Sequence, residues 1–377
     1  MNHSVLARLR LHNQQLMRPS FSSPAEVVRW FGAVQSQDLS ASLCAIGLRM
    51  SHATEARVEQ AIADRSIVRS WPMRRTIHCM AAEDARWMIR LLAPRGIARM
   101  TPYHRKMGID DRDLRRAANV FEKALAEDRQ VTRIELYQKL NAAGVRTDTP
   151  DGQTRGLHLL CHWAQAGLIC IAGRSGGQIT FALLEEWTPR GRDLQDDEAL
   201  AELALRYFQS HAPATAKDFA WWAGFTLKEA NHALALLADR LQSLPTEGVE
   251  YWFLRDAPAP LAHPSPVLLL PAFDEYTVAY ADRTAAADES VLRSTSHGLA
   301  ANILINGRIA GTWKRTLIGS DRVALTPTLL RILNRRENAG LAGACERYAA
   351  FLGRTLADGN SRKRKPRAGM QKGKKPR

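Results

Sequence analysis

The apolar positions of this chain follow a grammar that repeats: short runs of helical period, then two β-prone runs around a turn. The middle copy is plainest. Thr132-Arg133-Ile134-Glu135 sets a hydroxyl three residues ahead of a carboxylate, the reciprocal spacing of a capping box, and predicts a helix over 132–143. A second helix is expected over 152–166, after a turn around Thr149-Pro150-Asp151. Leu168-Ile169-Cys170-Ile171 and Ile179-Thr180-Phe181-Ala182 flank the loop Gly173-Arg174-Ser175-Gly176-Gly177 and read as a hairpin. Helix, turn, helix, hairpin is the order of a winged helix.

The first copy runs over 4–80. Ser23-Pro24-Ala25-Glu26 joins a capping box to a proline at the first helical position. Val27, Val28, Phe31 and Val34 form the apolar stripe of that helix, which carries Gln35 and Gln37 at its end. Asp38 and Thr54 can each cap a following helix. Ile67-Val68-Arg69-Ser70-Trp71 and Thr76-Ile77-His78-Cys79-Met80 are expected to pair around Pro72. The third copy spans 197–255, with helices opening near Glu198, Thr215 and Thr226 and strands over 241–244 and 251–254.

The texture changes after the proline-rich stretch 257–266. Val267-Leu268-Leu269-Leu270 reads as a buried strand, and Asn306-Gly307 between β-prone runs is a strong hairpin signal. With Arg322-Val323-Ala324-Leu325 these runs suggest a small β-barrel, followed by a helix over 339–356. The expected architecture is α+β: three tandem winged helices over 1–100, 101–192 and 193–258, a β-barrel-like module over 259–358, and a tail over 359–377.

Composition narrows the class. At 377 residues the chain exceeds one ordinary core, and no apolar run reaches the length of a membrane span. Five scattered cysteines form no C-x-x-C, so structural zinc and a disulfide framework are not expected and a cytoplasmic, nucleoid-associated setting fits. The net charge is +15, of which nine charges lie in Ser361–Arg377, a stretch without one acid. That tail is too polar to fold alone and suits phosphate neutralisation on a polyanion. Tandem winged helices on a basic body favour duplex DNA as partner. No phosphate loop, H-E-x-x-H, G-x-S-x-G or dinucleotide fingerprint is present, so neither cofactor nor metal is expected.

The candidate chemistry begins with Gln35 and Gln37. Polar groups at a helix end are ordinarily caps or solvated, yet two neighbouring amides can also hold and aim a water molecule. In Trp71-Pro72-Met73-Arg74-Arg75-Thr76-Ile77-His78, strand alternation sets Arg74, Thr76 and His78 on one face, either solvated or lining a cleft. His78 fits a structural hydrogen bond or an acid–base role. Asp38 fits a helix cap better than a water activator.

These stretches together resemble the AlkZ/YcaQ-like DNA glycosylases. The resemblance runs from Gln35-Ser36-Gln37-Asp38 and Trp71–His78 through Arg206-Tyr207-Phe208 and Asp218-Phe219-Ala220-Trp221-Trp222-Ala223-Gly224. It ends with Leu270-Pro271-Ala272-Phe273-Asp274-Glu275-Tyr276 and Asn306–Trp313, leaving out little but the tail. It implies three winged helices and a β-barrel in a C-shape around DNA, and hydrolysis of the N-glycosidic bond of N7-alkylated purines, some interstrand crosslinks included. By the same resemblance Gln35 and Gln37 match a catalytic Gln-x-Gln motif, with Ser36 more polar than the usual middle residue. Arg74, Arg75, Thr76 and His78 would shape the lesion pocket or hold DNA. Asp274 and Glu275 either bond the barrel loops or place Tyr276 and Arg283 near the lesion. Lys314 and Arg315 would touch DNA, beside a core Trp313. The expected protein is a monomeric, monofunctional hydrolase; its rival is a non-catalytic winged-helix regulator, which has no need of the glutamine pair.

The charge distribution gives the first prediction. Deletion after Asn360 is expected to weaken DNA binding and flatten its salt dependence while single-turnover base release persists. Fluorescence anisotropy across a salt series checks this; an unchanged slope would place the tail off the DNA.

Overall fold

The computed structural model describes residues 2–149, 154–188, 191–256, 266–293 and 299–357. The turn at 149–151, the stretch 257–266 and the tail at 359–377 fall wholly or partly outside them.

The first helices are His3–Asn13, Pro24–Phe31, Leu39–Gly47 and Glu55–Ala63. Ser23 and Glu26 form the expected capping box, with Pro24 in the first turn. The helix stops earlier than its apolar stripe suggests. Gly32 takes φ 78°, a left-handed conformation cheap only for glycine, and the chain leaves it extended as β1 (Ala33–Gln35). Val34 and Gln35 therefore belong to a strand rather than a helix end.

The strand β1 pairs antiparallel with β3 (Thr76–Ala81), Gln35 facing His78, and β3 pairs in turn with β2 (Ile67–Met73). The hairpin turn is not at Pro72. That residue lies inside β2, where the register is irregular between Ser70 and Met73 and its missing N–H is not required. The turn is Arg74-Arg75, both left-handed at φ 51° and 59°. Such a pair ordinarily calls for Asn-Gly, so two arginines here carry backbone strain.

The second set of helices includes the 22-residue Ala85–Lys106, then Asp111–Asp128, Arg133–Ala142 and Arg155–Gln165. Thr132 and Glu135 form their capping box as expected. The strands β4 (Val131–Thr132), β5 (Ile169–Ser175) and β6 (Gln178–Leu183) do not stand alone. Arg69 of β2 pairs with Ile171 of β5, giving one six-stranded sheet in the order β1-β3-β2-β5-β6-β4. Two hairpins distant in sequence thus become one platform.

The third set, Asp196–His211, Ala216–Ala223 and Leu227–Leu236, closes on a separate hairpin of β7 (Leu241–Thr246) and β8 (Val249–Leu254). The C-terminal sheet contains β9 (Leu268–Leu270), β10 (Asn302–Ile305), β11 (Arg308–Ile318), β12 (Arg322–Leu329) and β13 (Thr355–Leu356). Asn306-Gly307 makes the expected tight turn. The barrel does not form among the described residues: five strands run β13-β12-β11-β10-β9, and the end strands do not pair. The helix Arg335–Phe351 covers one face of this open sheet instead. No helix among the described residues is long and apolar enough to cross a membrane.

The cores cross between these sets. One joins Val68, Met80 and Trp87 to Tyr207, Phe219 and Trp222. Another joins Phe31 and Ile46 to Ile303, Trp313 and Tyr348, so the C-terminal sheet packs directly on the first helices. A buried ion pair pins the same junction: Arg49 grips Asp274 through two hydrogen bonds of 2.8 and 2.9 Å, both side chains almost fully enclosed. The remaining Arg49 donors go to Gln14 and to the Ala45 carbonyl.

Breaking that pair from one side strands a charge. Asp274→Leu alone is expected to cost about 3–5 kcal/mol. The double variant Arg49→Met/Asp274→Leu should recover much of the loss, because it removes both buried charges. Urea denaturation of the single and double variants measures both effects.

Candidate active site and nucleic-acid interface

The segment Gln35-Ser36-Gln37 is extended, so alternate side chains part to opposite sides. Ser36 is fully buried and anchors the segment. Its hydroxyl meets Ser42 Oγ at 2.8 Å, and Arg69 donates to its hydroxyl at 2.9 Å and its carbonyl at 3.1 Å. The Ser36 N–H donates to the Ile77 carbonyl at 2.6 Å. A polar residue between the glutamines therefore has a structural cause: it is the partner of a buried arginine.

Gln35 is 7% exposed. Its backbone N–H donates to Glu275 Oε1 at 2.7 Å, and its side-chain oxygen lies 3.5 Å from Arg74 Nη2, a long contact. Gln37 is exposed, and its side-chain oxygen accepts from the Ile77 N–H at 3.2 Å. A carbonyl oxygen has two lone pairs, so one remains for a water. Asp38 caps the helix Leu39–Gly47 by accepting from the Ala41 N–H at 3.1 Å. That bond engages Oδ1 of an exposed carboxylate.

Glu275 is almost wholly enclosed, yet its carboxylate is well supplied. Oε2 accepts from the Trp222 indole at 3.0 Å, while Oε1 takes the Gln35 N–H. The His211 ring lies 3.6 Å away, beyond hydrogen-bond length. Burial alone would raise this carboxyl's pKa; the adjoining His211, then the charge of Arg74 and the ring of His78, outweigh it and bring the value down to about 2. Glu275 is an anion at physiological pH.

His78 is fully buried opposite Gln35. Its Nδ1 donates to the Thr76 carbonyl at 2.9 Å, and its Nε2 faces Arg74 Nη2 at 3.2 Å. A guanidinium only donates, so Nε2 accepts and the ring is neutral. Burial, reinforced by the Arg74 charge and opposed by Glu275, lowers its pKa to about 4. Arg74 is thus the hub: from the strained turn its guanidinium folds back to His78, to Gln35 and, at 3.5 Å, to the Val278 carbonyl.

Beyond Arg74 opens a cleft of about 810 Å³ between the Arg74-Arg75 turn, the helix Ala85–Lys106 and the helix Ala216–Ala223. Its walls carry Arg75, Arg95, Arg99 and Lys217 with the aromatic rings of Tyr103 and Trp221. Arg95 pairs with Glu229; Arg75 instead lies over the Tyr103 ring, 4.8 Å from its centroid. This is a cationic, aromatic cleft that shares Arg74 with the Gln35 site, and its wall chemistry is that of a nucleic-acid groove.

The other expected site residues part company. Arg283 stays close, 5.9 Å above the Trp221 ring. Thr76 turns its hydroxyl to the Met73 carbonyl at 3.5 Å, within the hairpin turn. Tyr276 is a correction: it is sealed in a core with its hydroxyl 2.7 Å from the Gly307 carbonyl, so it has no face for a lesion. Arg315 donates to the Tyr348 hydroxyl at 2.9 Å on the C-terminal sheet, and Lys314 is exposed beside it. Neither joins the cleft around Arg74.

Sequence reasoning missed the part played by Glu275, whose contact with Gln35 spans 240 residues. It also missed Trp221, Arg95, Arg99 and Lys217. A two-tryptophan run was visible, but nothing local tells which indole faces inward.

The family model for AlkZ-like DNA glycosylases matches residues 28–351, a span holding Gln35, Gln37, Arg74, His78 and Glu275. A curated relative, the interstrand DNA cross-link repair glycosylase of Streptomyces sahachiroi, is 24% identical over 338 residues, covering 84% of this chain and 88% of that one. The solved structure of the DNA glycosylase AlkZ of Streptomyces sahachiroi shares the fold, with a TM-score of 0.70 at 20% identity over 94% of this chain and 99% of that chain. The chain therefore belongs to the AlkZ-like DNA glycosylase family, enzymes that hydrolyse the N-glycosidic bond in DNA.

Proposed function

We propose that this protein is a monofunctional glycosylase that releases N7-alkylated purines from duplex DNA, bulky adducts and interstrand crosslinks included, in base excision repair. One observation carries the reading: among the described residues, the two acid–base groups set directly against Gln35, Glu275 and His78, both have their polar atoms engaged. Glu275 is an anion with its oxygens on two N–H donors. His78 is neutral, donating to Thr76 and accepting from Arg74. Such a site suits a base that leaves without being protonated.

An N7-alkylpurine is that base. It is cationic while bound to the sugar; when the C1′–N9 bond breaks, both electrons pass to the base and cancel its charge. Water then bonds to C1′ and gives up a proton to solvent. What remains for the protein is positioning and electrostatics. The Gln37 oxygen, already tied to the Ile77 N–H, directs its second lone pair to that water, and Gln35 supplies a second amide held against Arg74. Neither amide titrates. The Streptomyces sahachiroi relative is named for interstrand cross-link repair, which supports the extension to crosslinks.

Base release from duplexes bearing N7-methylguanine, or a bulkier N7 adduct, tests this. Gln35→Ala and Gln37→Ala are each expected to slow single-turnover release by about 10²-fold, the cost of a misplaced reactant, with DNA affinity retained. Wild type that binds DNA and releases no base would leave the regulator reading in place.

The pKa values give a second outcome. His78 stays neutral above about 4 and Glu275 stays ionised above about 2. The single-turnover rate should therefore be flat across roughly pH 6 to 9, where a general acid or base would bend it. Stability behaves differently. Because the folded His78 has the lower pKa, the unfolded chain binds more protons below the ordinary histidine value, and stability falls as pH drops from there to about 4. Rates should be read only where circular dichroism shows folded protein.

A further inference from the structure

The two tryptophans of the helix Ala216–Ala223 point apart, and both indole N–H groups go to the same short segment. Trp222 is buried and donates to Glu275; Trp221 is 48% exposed and donates to the Val278 carbonyl at 3.1 Å. That carbonyl is also the acceptor for Arg74 Nη1, so the exposed indole sits beside the cation that holds Gln35 and His78. Arg283 backs the ring from 5.9 Å. The indole thus presents a large aromatic surface, about half of it open, whose one polar atom is already satisfied. The walls around it supply the complement. Arg75, Arg99 and Lys217 line the same cleft and make no ion pair among the described residues.

We infer that Trp221 is a stacking platform for a nucleobase of the bound DNA, with Arg99 and Lys217 holding the flanking phosphates. The inference rests on the glycosylase reading for its ligand, but it concerns binding rather than bond cleavage. A base on this indole lies next to Arg74 and therefore next to the Gln35 amide. Stacking here would fix the local strand so that C1′ meets the glutamines. Tyr103, 44% exposed beneath Arg75, lines the same cleft and offers a second ring.

The test is equilibrium binding, by fluorescence anisotropy, to a duplex with a tetrahydrofuran abasic analogue and to the same duplex unmodified. Trp221→Ala is expected to weaken binding to the abasic-site duplex by about 10- to 100-fold, the range one base–aromatic stack supplies, with an unchanged salt slope. Trp221→Phe, which keeps a ring, should retain most of the affinity. Arg99→Ala and Lys217→Ala should weaken both duplexes alike and each lower the salt slope by about one. The inference is overturned if Trp221→Ala binds as wild type does, or if its loss appears only as a changed salt slope. It is equally overturned if Trp221→Phe is as weak as Trp221→Ala, since the ring face would then not be the contact. Thermal melts that match wild type confirm that the exposed substitutions leave the fold intact. Should wild type release no alkylated base while Trp221→Ala still loses affinity, the catalytic reading falls and the stacking site stands.

Discussion

A carboxylate enclosed away from water has to be stabilised there or it will protonate, and Glu275 meets that requirement with two N–H donors and a nearby cation from three separate parts of the chain. The Gln35 amide comes from the first strand, the Trp222 indole from the third helical set, and the Arg74 charge from the hairpin turn. None of these can shift far without stranding an anion in an apolar interior. The site is thereby fixed by electrostatics as much as by packing. Asp274, the preceding residue, repeats the device towards Arg49, so one short segment carries two buried anions that lock the C-terminal sheet to the first helices.

The same economy explains the surroundings of the glutamines. Ser36 is occupied by Arg69 and Ser42, which clamps the segment between the two glutamines. Gly32 ends the preceding helix so that this segment can be a strand at all. The Arg74-Arg75 turn holds two non-glycine residues in a left-handed conformation, a strain that persists because Arg74 reaches three acceptors from there. Strain of this kind is ordinarily retained where a side chain must be aimed.

Two kinds of arginine serve two purposes. Arg49, Arg69 and Arg206 are buried against carboxylates or carbonyls and hold elements together. Arg75 and Arg99, with Lys217, line the open cleft and make no ion pair among the described residues. Composition alone merges these groups into one excess of positive charge. Only the second group is available to phosphate, and it lies beside the aromatic rings that a nucleic-acid strand would use.

Local chemistry was legible in the chain. The capping boxes at Ser23 and Thr132, the Asn306-Gly307 turn and the hairpins near 169–183 and 241–254 all follow from contacts within a few residues. The glutamine pair could be singled out for the same reason: its oddity is a matter of side-chain type at close spacing. Long-range pairing was not legible. The fusion of two hairpins through Arg69 and Ile171, the open rather than closed C-terminal sheet, the burial of Tyr276 and the outward turn of Trp221 depend on partners a hundred or more residues away, or on which of two faces a neighbour covers. By itself the sequence determined the elements and named the amides; the tertiary structure decided what surrounds them. The reason is physical: a hydrogen-bond cap needs four consecutive residues, whereas an ionised, enclosed Glu275 against Gln35 exists only once the whole chain has closed around it.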